Sequence, residues 1–365
     1  MSSIHSIRFS YVSHLLKFNF DAGTSRGVLR EKTTYFIQAS CQKFMHVGWG
    51  EAAPLVNLSV DDIPDFEEYL KKYCDDLVFE WDSSDHNPTK TVLDWCANFI
   101  PAQFPSIRFA FETALLDFVH GGKRLVFDTD FYTSEKPIPI NGLIWMGERE
   151  FMYEQINEKL ANGFTCIKMK IGAIDFEEEC KLLEYIRSRF SADQITLRVD
   201  ANGAFSASEA LNKLKRLSEF QLHSIEQPIA TGQWKEMAAL CQQTPLSIAL
   251  DEELIGIYGF EQRRQLLDQI KPQYIILKPS LVGGLKDSQE WIRLAEERGI
   301  GWWMTSALES NVGLNAIAQF TSTYQGLMHQ GLGTGQLFTN NIDSPLVVKN
   351  GFISYKKELL WSEIS

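Results

Sequence analysis

The sequence predicts an α/β fold, an α+β unit followed by a modified parallel barrel of the (β/α)7β type, and three observations carry that prediction. From Pro137 onward, short apolar runs recur at intervals of about 22 to 30 residues, each followed by an amphipathic stretch, as strand–helix units require. Charged residues gather at the C-terminal ends of those runs. The first 125 or so residues do not share this rhythm. At 365 residues the chain is also longer than one ordinary compact domain.

Residues 1–125 read as the α+β unit. Ser6–Val12 alternates like a strand. Phe18–Lys32 contains Gly23 and Gly27 and reads as a loop. Thr33–Cys41 and Phe44–Trp49 read as a hairpin turning near Gln42–Lys43. Asp61–Tyr73, Thr91–Ile100 and Ser106–His120 have helical composition. Ser59 or Asp61 can cap the first, and Gly121–Gly122 ends the last.

Residues 126–338 read as the barrel. The apolar runs are Ile140–Met146, Cys166–Ile171, Ile195–Val199, Leu222–Ile225, Leu246–Leu250, Tyr274–Leu277 and Trp302–Met304, with a weaker eighth at Met328–Leu332. Helical segments separate them at Glu148–Asn162, Phe176–Arg189, Ala207–Ser218, Trp234–Gln243, Ile257–Gln269 and Leu285–Arg298. An open doubly wound sheet is the alternative, but no GxGxxG follows the first strand. In the tail, 339–365, Asn350-Gly351 between two apolar runs marks a hairpin. It resembles nothing in the barrel and is expected to pack back toward the first unit.

Composition narrows the function classes. Hydrophobic residues make up 44% and charged residues 22%, as in ordinary globular proteins. The formal net charge is −12 with no basic block, which argues against nucleic-acid binding. No apolar run is long enough for a membrane span, and Met1–Phe20 lacks the apolar core of a secretion signal. Six widely spaced cysteines without a CxxC pair read as reduced thiols of a cytoplasmic protein. An anionic substrate would need a local cationic site. Nothing in the sequence indicates an oligomeric state.

The charges at the strand ends carry the chemistry. Asp200, Glu226, Asp251 and Lys278 each follow an apolar run directly, at the end of a barrel strand where active sites lie. Burying such groups unpaired is costly. The three acids come from consecutive strands about 4.8 Å apart, so they can converge. They would repel one another without a cation, and three single oxygens leave open positions on an octahedral Mg²⁺, with Mn²⁺ as a substitute. Any one acid alone can instead be read as the cap of the helix that follows it. Lys168 and Lys170 stand two apart on one strand and point to the same side, into the barrel. Two ammonium groups that close are expected to depress one another's pKa, leaving one usable as a base near neutral pH. Lys278 falls roughly opposite Lys170, so a reacting carbon between them would have an ammonium on each face.

Five strand-end segments, in order, resemble the enolase superfamily and its muconate-lactonizing subgroup. They are Lys168-Met169-Lys170, Arg198-Val199-Asp200-Ala201-Asn202-Gly203, Ile225-Glu226-Gln227-Pro228, Leu250-Asp251-Glu252-Glu253 and Leu277-Lys278-Pro279-Ser280. Gly48-Trp49-Gly50-Glu51-Ala52-Ala53-Pro54 resembles the family's capping-domain signature. The resemblance implies an enolase-like fold, an α+β capping domain on a modified TIM barrel. The pairing of a Lys base with Mg²⁺ is the general pattern of that superfamily. Within the subgroup, 305–313 and 331–338 are similar to members that dehydrate 2-succinyl-6-hydroxy-2,4-cyclohexadiene-1-carboxylate in menaquinone synthesis. The resemblance then implies that Lys170 takes the α-proton and helps the hydroxyl leave from the same face. Lys278 stabilises the intermediate by its charge, Lys168 tunes Lys170, and Asp200, Glu226 and Asp251 hold Mg²⁺. Arg26, in a loop closing over the site, and Ser306 are candidates for a substrate carboxylate. Asn202 and Arg198 are candidates for the shell around the metal and substrate. His223 reads as a packed histidine and not a base.

Two other readings stay open. Lysines on opposite faces also suit 1,1-proton transfer, as in N-acylamino acid racemases. Dipeptide epimerases are disfavoured, because 331–338 lacks the Asp-x-Asp pair those enzymes carry. A barrel that binds without catalysis is the other, and retention of every costly buried charge argues against it.

Overall fold

The computed structural model describes residues 4–24 and 27–364. The first unit is an antiparallel sheet in the order β3-β2-β1-β4, formed by β1 (Ile4–Thr24), β2 (Gly27–Ser40), β3 (Gly48–Ala52) and β4 (Phe79–Asp82). Three helices, α1 (Phe66–Asp76), α2 (Pro88–Phe99) and α3 (Pro105–Val119), lie against it. Every residue of α3 from Pro105 to Phe118 is buried, as expected of a helix enclosed by sheet on one side and barrel on the other.

Three expectations are corrected here. Phe18–Lys32 is not a loop: β1 and β2 pair continuously from Arg8↔Ser40 to Thr24↔Gly27, with one register shift between Lys17 and Ala22. Gly23 misled the reading. It is glycine for room, because an added Cβ would come within 2.7 Å of Met146 O. The strand expected at Phe44–Trp49 is Gly48–Ala52 instead, reached by a longer connection. Gly48 and Gly50 are poor strand formers on paper. They are needed because a Cβ on either would overlap the Ala114 and Ala110 carbonyls of α3. Asp61 does not cap α1; it is buried and accepts from Ser106 N at 2.9 Å and Ser106 Oγ at 2.6 Å. Gly50→Ala is therefore expected to cost about 3 kcal/mol or more, since backbone and not a pliable side chain stands in the way. The urea midpoint measures it.

After α4 (Asp130–Thr133) and the short β5 (Ile138–Pro139), seven parallel strands form one sheet. They are β6 (Gly142–Ile144), β7 (Cys166–Lys170), β8 (Thr196–Asp200), β9 (Ser224–Glu226), β10 (Ile248–Leu250), β11 (Tyr274–Leu277) and β12 (Gly301–Met304). Helices α5 (Arg149–Ala161), α6 (Phe176–Arg187), α7 (Ala207–Ser218), α8 (Trp234–Gln243), α9 (Phe260–Ile270), α10 (Pro279–Val282), α11 (Gly284–Glu296) and α12 (Asn311–Thr321) alternate with them. Gln330 and Gly331 close the ring, bridging Ile140 on one side and Thr305 on the other. Asn141 N donates to Gln330 O at 2.9 Å and Gly331 N to Met304 O at 2.7 Å. The weak eighth run is thus a very short closing strand, and the architecture is the expected enolase-like one.

The tail hairpin, β13 (Leu346–Lys349) and β14 (Phe352–Tyr355), turns at Asn350 and Gly351, both with positive φ as a type I′ turn demands. Its sheet partner is β5 at the entry to the barrel, not the capping sheet. Backbone pairing with Ile138–Pro139 decides this for the hairpin, while the chain on either side of it does pack on the first unit: Thr339 N donates to Lys17 O and Asn340 Nδ2 to Leu15 O, both at 2.8 Å, and Ile342, Trp361 and Ile364 cluster with Val12, Phe36 and Trp49.

Two acids of α3 are buried where the cap meets its neighbours. Burial pushes Glu112 up to about 8, against hydrogen bonds from Leu285 N and Lys286 N and the Arg108 charge. Burial likewise pushes Asp117 up to about 7, opposed by Arg124. Both lie above their unfolded values, near 4. Between roughly pH 4 and 8 the folded chain therefore holds protons that the unfolded chain has released, and stability falls as pH rises. The urea midpoint is expected to be lower at pH 8 than at pH 5.5, with the difference reduced in Glu112→Gln.

Candidate active site

Register places the strand-end groups side by side. Lys170 pairs with Asp200 across β7 and β8, and Asp200 with Glu226 across β8 and β9. Asp251 follows β10 and Lys278 follows β11. Oxygens of Asp200, Glu226 and Asp251 all lie within 4.8 Å of one another, and all three residues are buried.

The lysines bracket this trio. Lys168 Nζ lies 2.7 Å from Glu226 Oε2 and 3.4 Å from Asp200 Oδ2. Lys170 Nζ lies 3.2 Å from Asp200 Oδ2 and donates to Asn202 Oδ1 at 2.8 Å. At the other end Lys278 Nζ lies 2.6 Å from Asp251 Oδ2.

Burial alone would push every carboxylate up and every ammonium down. Proximity overrules it for most of them. Lys168 is lowered by burial, but Glu226, Asp200 and Asp251 together raise it well above an ordinary lysine. The expected mutual depression of the two lysines is thus not met at Lys168, because three carboxylates outweigh one neighbouring ammonium. Lys278 is raised in the same way by Asp251 and Glu252 against burial. For Asp200 burial is overcome by Lys170, Lys168 and Lys278, which hold it well below the carboxylate range. Glu226, the innermost, goes up to about 7 through burial, with Lys168 opposing and the two other acids adding.

Could these acids hold a cation? Glu226 Oε1 is buried without a hydrogen-bond partner among the described residues. Oxygens on an octahedral Mg²⁺ sit about 2.0–2.1 Å from the ion, so opposite ones are about 4.2 Å apart. The observed spread exceeds that by little, and the all-oxygen donor set is of the right kind. The residues fit.

A cavity of about 670 Å³ opens on this group, reaching Lys168, Lys170, Asp200 and Lys278. Phe20, Trp145 and Leu308 also line it and belong to a separate apolar cluster with Leu16, Phe18 and Phe338. Across the ring from the acids, beside the closing strand, Asn141 Oδ1 and Thr305 Oγ1 are buried in the cavity wall. Neither has a partner among the described residues. The sequence offered no sign of Asn141, since one asparagine in an apolar run looks like an interruption.

The other candidates divide. Asn202, at φ 44, bridges Lys170 and Glu252 Oε1, the latter at 2.9 Å. Ser306 lines the cavity, its hydroxyl 2.5 Å from Thr334 Oγ1. Arg198 does not reach the cavity. Its guanidinium stacks on Trp303 at 4.0 Å and donates to His329 O at 2.8 Å, two residues below Asp200 on the strand. Arg26 lies outside the described residues. His223 is packed beside Tyr274, 4.9 Å between ring centroids, and burial pushes it down to about 4. Gln227 was missed although its motif was noted. It sits at φ 36, and its side-chain Oε1 accepts from Asp251 N and Glu253 N, both at 3.3 Å, which ties β9 to the turn carrying Asp251.

Comparison with known proteins adds an independent line. Residues 152–358 match the family described as enolase C-terminal domain-like. An o-succinylbenzoate synthase of Desulfotalea psychrophila is 51% identical, over 95% of this chain and 98% of its own. The crystal structure of MenC from that organism superposes with a TM-score of 0.81 at 46% identity, covering 96% of this chain and 99% of that one. An N-succinylamino acid racemase of Thermus thermophilus is 35% identical, but over only 43% of this chain and 40% of its own.

Proposed function

Since the chain belongs to the enolase C-terminal domain-like family, and within it to the o-succinylbenzoate synthases, we propose that it dehydrates 2-succinyl-6-hydroxy-2,4-cyclohexadiene-1-carboxylate to 2-succinylbenzoate through the lysines and acids at its strand ends. It is a lyase of the carbon–oxygen class, acting on a small-molecule carboxylate. The observation that carries the residue assignment is the bracketing of three converging carboxylates by Lys170 at one end and Lys278 at the other.

Asp200, Glu226 and Asp251 would hold Mg²⁺, with Mn²⁺ as a substitute. When bound, the cation would offset the negative charge that develops on the substrate carboxylate. Lys170 takes the proton from the α-carbon. The C–O bond then breaks, and the same ammonium gives that proton to the departing hydroxyl, so that one water leaves and the ring becomes aromatic. Lys278 stays protonated and faces the growing charge from the other side. Lys168, held by Glu226 and Asp200, keeps positive charge beside Lys170. Asn202 fixes the direction of the Lys170 amine. Ser306, in the cavity wall, donates to a substrate carboxylate.

In this reading residues 1–125 cap the site, 126–338 carry the chemistry and 339–365 brace the barrel entry. No helix among the described residues is long and apolar enough to cross a membrane. All six cysteines are unpaired, which supports a reducing, cytoplasmic setting.

The test is a direct comparison on the native protein with Mg²⁺. Dehydration of the diene is expected to outpace ²H exchange at the α-carbon of an N-succinylamino acid in D₂O by at least about 10²-fold in kcat/KM, near 3 kcal/mol in barrier. Exchange at a rival rate would assign the site to racemisation, the reading that the partial Thermus match favours.

A further inference from the structure

Lys32 plays no part in the chemistry above, yet its ammonium is buried. Its residue is only 3% exposed, and Nζ donates to Ala307 O and Leu308 O, each at 3.0 Å. Burying an ammonium is costly, so the position needs a reason. Neither carbonyl belongs to a helix or a strand, and Lys32 is what satisfies them. Leu308 has φ 63, the left-handed region that a leucine rarely adopts. Such a conformation costs about 1–3 kcal/mol and persists only where surrounding contacts enforce it.

The enforcing contacts come from three directions. Lys32 arrives from β2 of the capping sheet. Glu309 accepts from Ala307 N at 2.6 Å and from Ser280 Oγ at 2.5 Å, and Ser280 stands two residues beyond Lys278. Glu51, on β3, accepts from Thr34 Oγ1 at 2.7 Å and from Ser310 N and Gly313 N, both at 2.8 Å, at the start of α12. The turn they hold, Ala307–Leu308, forms cavity wall, and the Leu308 side chain joins Phe18, Trp145 and Phe338.

We propose that Lys32 is a positioning residue that clamps the 307–308 turn, so that docking of the capping sheet and shaping of the substrate cavity are a single event. The inference rests on the dehydration reading for its assay. A simpler role is charge balance, a cation placed to offset buried Glu51 and Glu309. The two roles separate experimentally. Lys32 touches none of the strand-end lysines or acids, so its loss should disturb substrate fit and not proton transfer.

Lys32→Met is expected to raise KM for the diene at least about tenfold, with kcat within about threefold of native and the Mg²⁺-induced rise in Tm retained. Lys32→Met combined with Glu309→Gln removes one uncompensated acid. The double variant should recover part of the lost urea midpoint but keep the raised KM, while Glu309→Gln alone, which keeps an acceptor for Ala307 N and Ser280 Oγ, should keep a native KM. A native KM in the single variant overturns the clamp. So does recovery of KM along with stability in the double variant, which would leave charge balance alone; and should the single variant not fold, the double variant's KM decides. The native protein is assayed alongside. If it does not turn over the diene, the dehydration reading fails and not the clamp, and the same variants are then compared by KM for N-succinylamino acid exchange.

Discussion

Replacing Lys170 by alanine is expected to lower kcat for dehydration by about 10³- to 10⁴-fold, the upper part of what one general acid–base group supplies. The upper part is expected because in the proposed mechanism one amine serves twice, at the α-carbon and at the leaving oxygen. Metal binding should survive. Asp200 loses its contact with Lys170 at 3.2 Å but keeps Lys168 at 3.4 Å, and the carboxylate trio is untouched. Mg²⁺ titration followed by Tm is expected to be near native in this variant. Lys170→Arg supplies the complementary result: charge is kept, but a guanidinium does not release its proton near neutral pH. It should be nearly as inactive as alanine. Turnover within tenfold of native in Lys170→Ala would remove the base from the mechanism.

Glu226→Ala is expected to have the second large effect, and to act on stability and activity together. Glu226 is fully buried and stands 2.7 Å from Lys168. Removing one member of such a pair leaves a buried charge without its main partner, at about 3–5 kcal/mol. The same change takes away the middle of three oxygens. A ligand at a hundredfold excess over its Kd stabilises by about 2.7 kcal/mol. Native protein should therefore gain Tm on adding Mg²⁺, and Glu226→Ala should not, while its kcat/KM falls to background. A native protein indifferent to Mg²⁺ would mean the trio is an ion-pair network and nothing more.

How much of this was legible depended on what kind of signal each residue leaves. Asp200, Glu226, Asp251 and Lys278 are legible because a charge at the end of an apolar run breaks a pattern, and Lys168 and Lys170 because two charges at alternate positions of one run share a face; strand order then tells which charges meet. The barrel rhythm was legible for the same reason. What failed were features whose cause lies in another segment. Gly23, Gly48 and Gly50 looked like turn residues or strand breakers. Their reason is a carbonyl more than fifty residues away. α12 went unassigned because its residues are buried from Val312 to Thr321 and show no polar face to set a period. Arg198 was drawn into the site by its place beside Asp200, but it sits one layer down, over Trp303. Lys32 leaves no mark at all, since a lysine at the end of a segment that reads as a loop reads as solvated.

The walls of the cavity are divided by origin. The lysines and acids of the proposed chemistry come from the ends of β7 to β11, while Phe20, Trp145 and Leu308 come from the long hairpin and from loops beyond β6 and β12; Glu158 and Lys159 of α5 and Lys349 of β13 also line the cavity. Substitutions in the greasy lining can therefore alter which molecules are admitted without disturbing the proton-handling machinery. A lineage carrying this scaffold is free to drift in diet while its chemistry stands still, and directed evolution toward new carboxylates should begin with those aromatic and aliphatic positions.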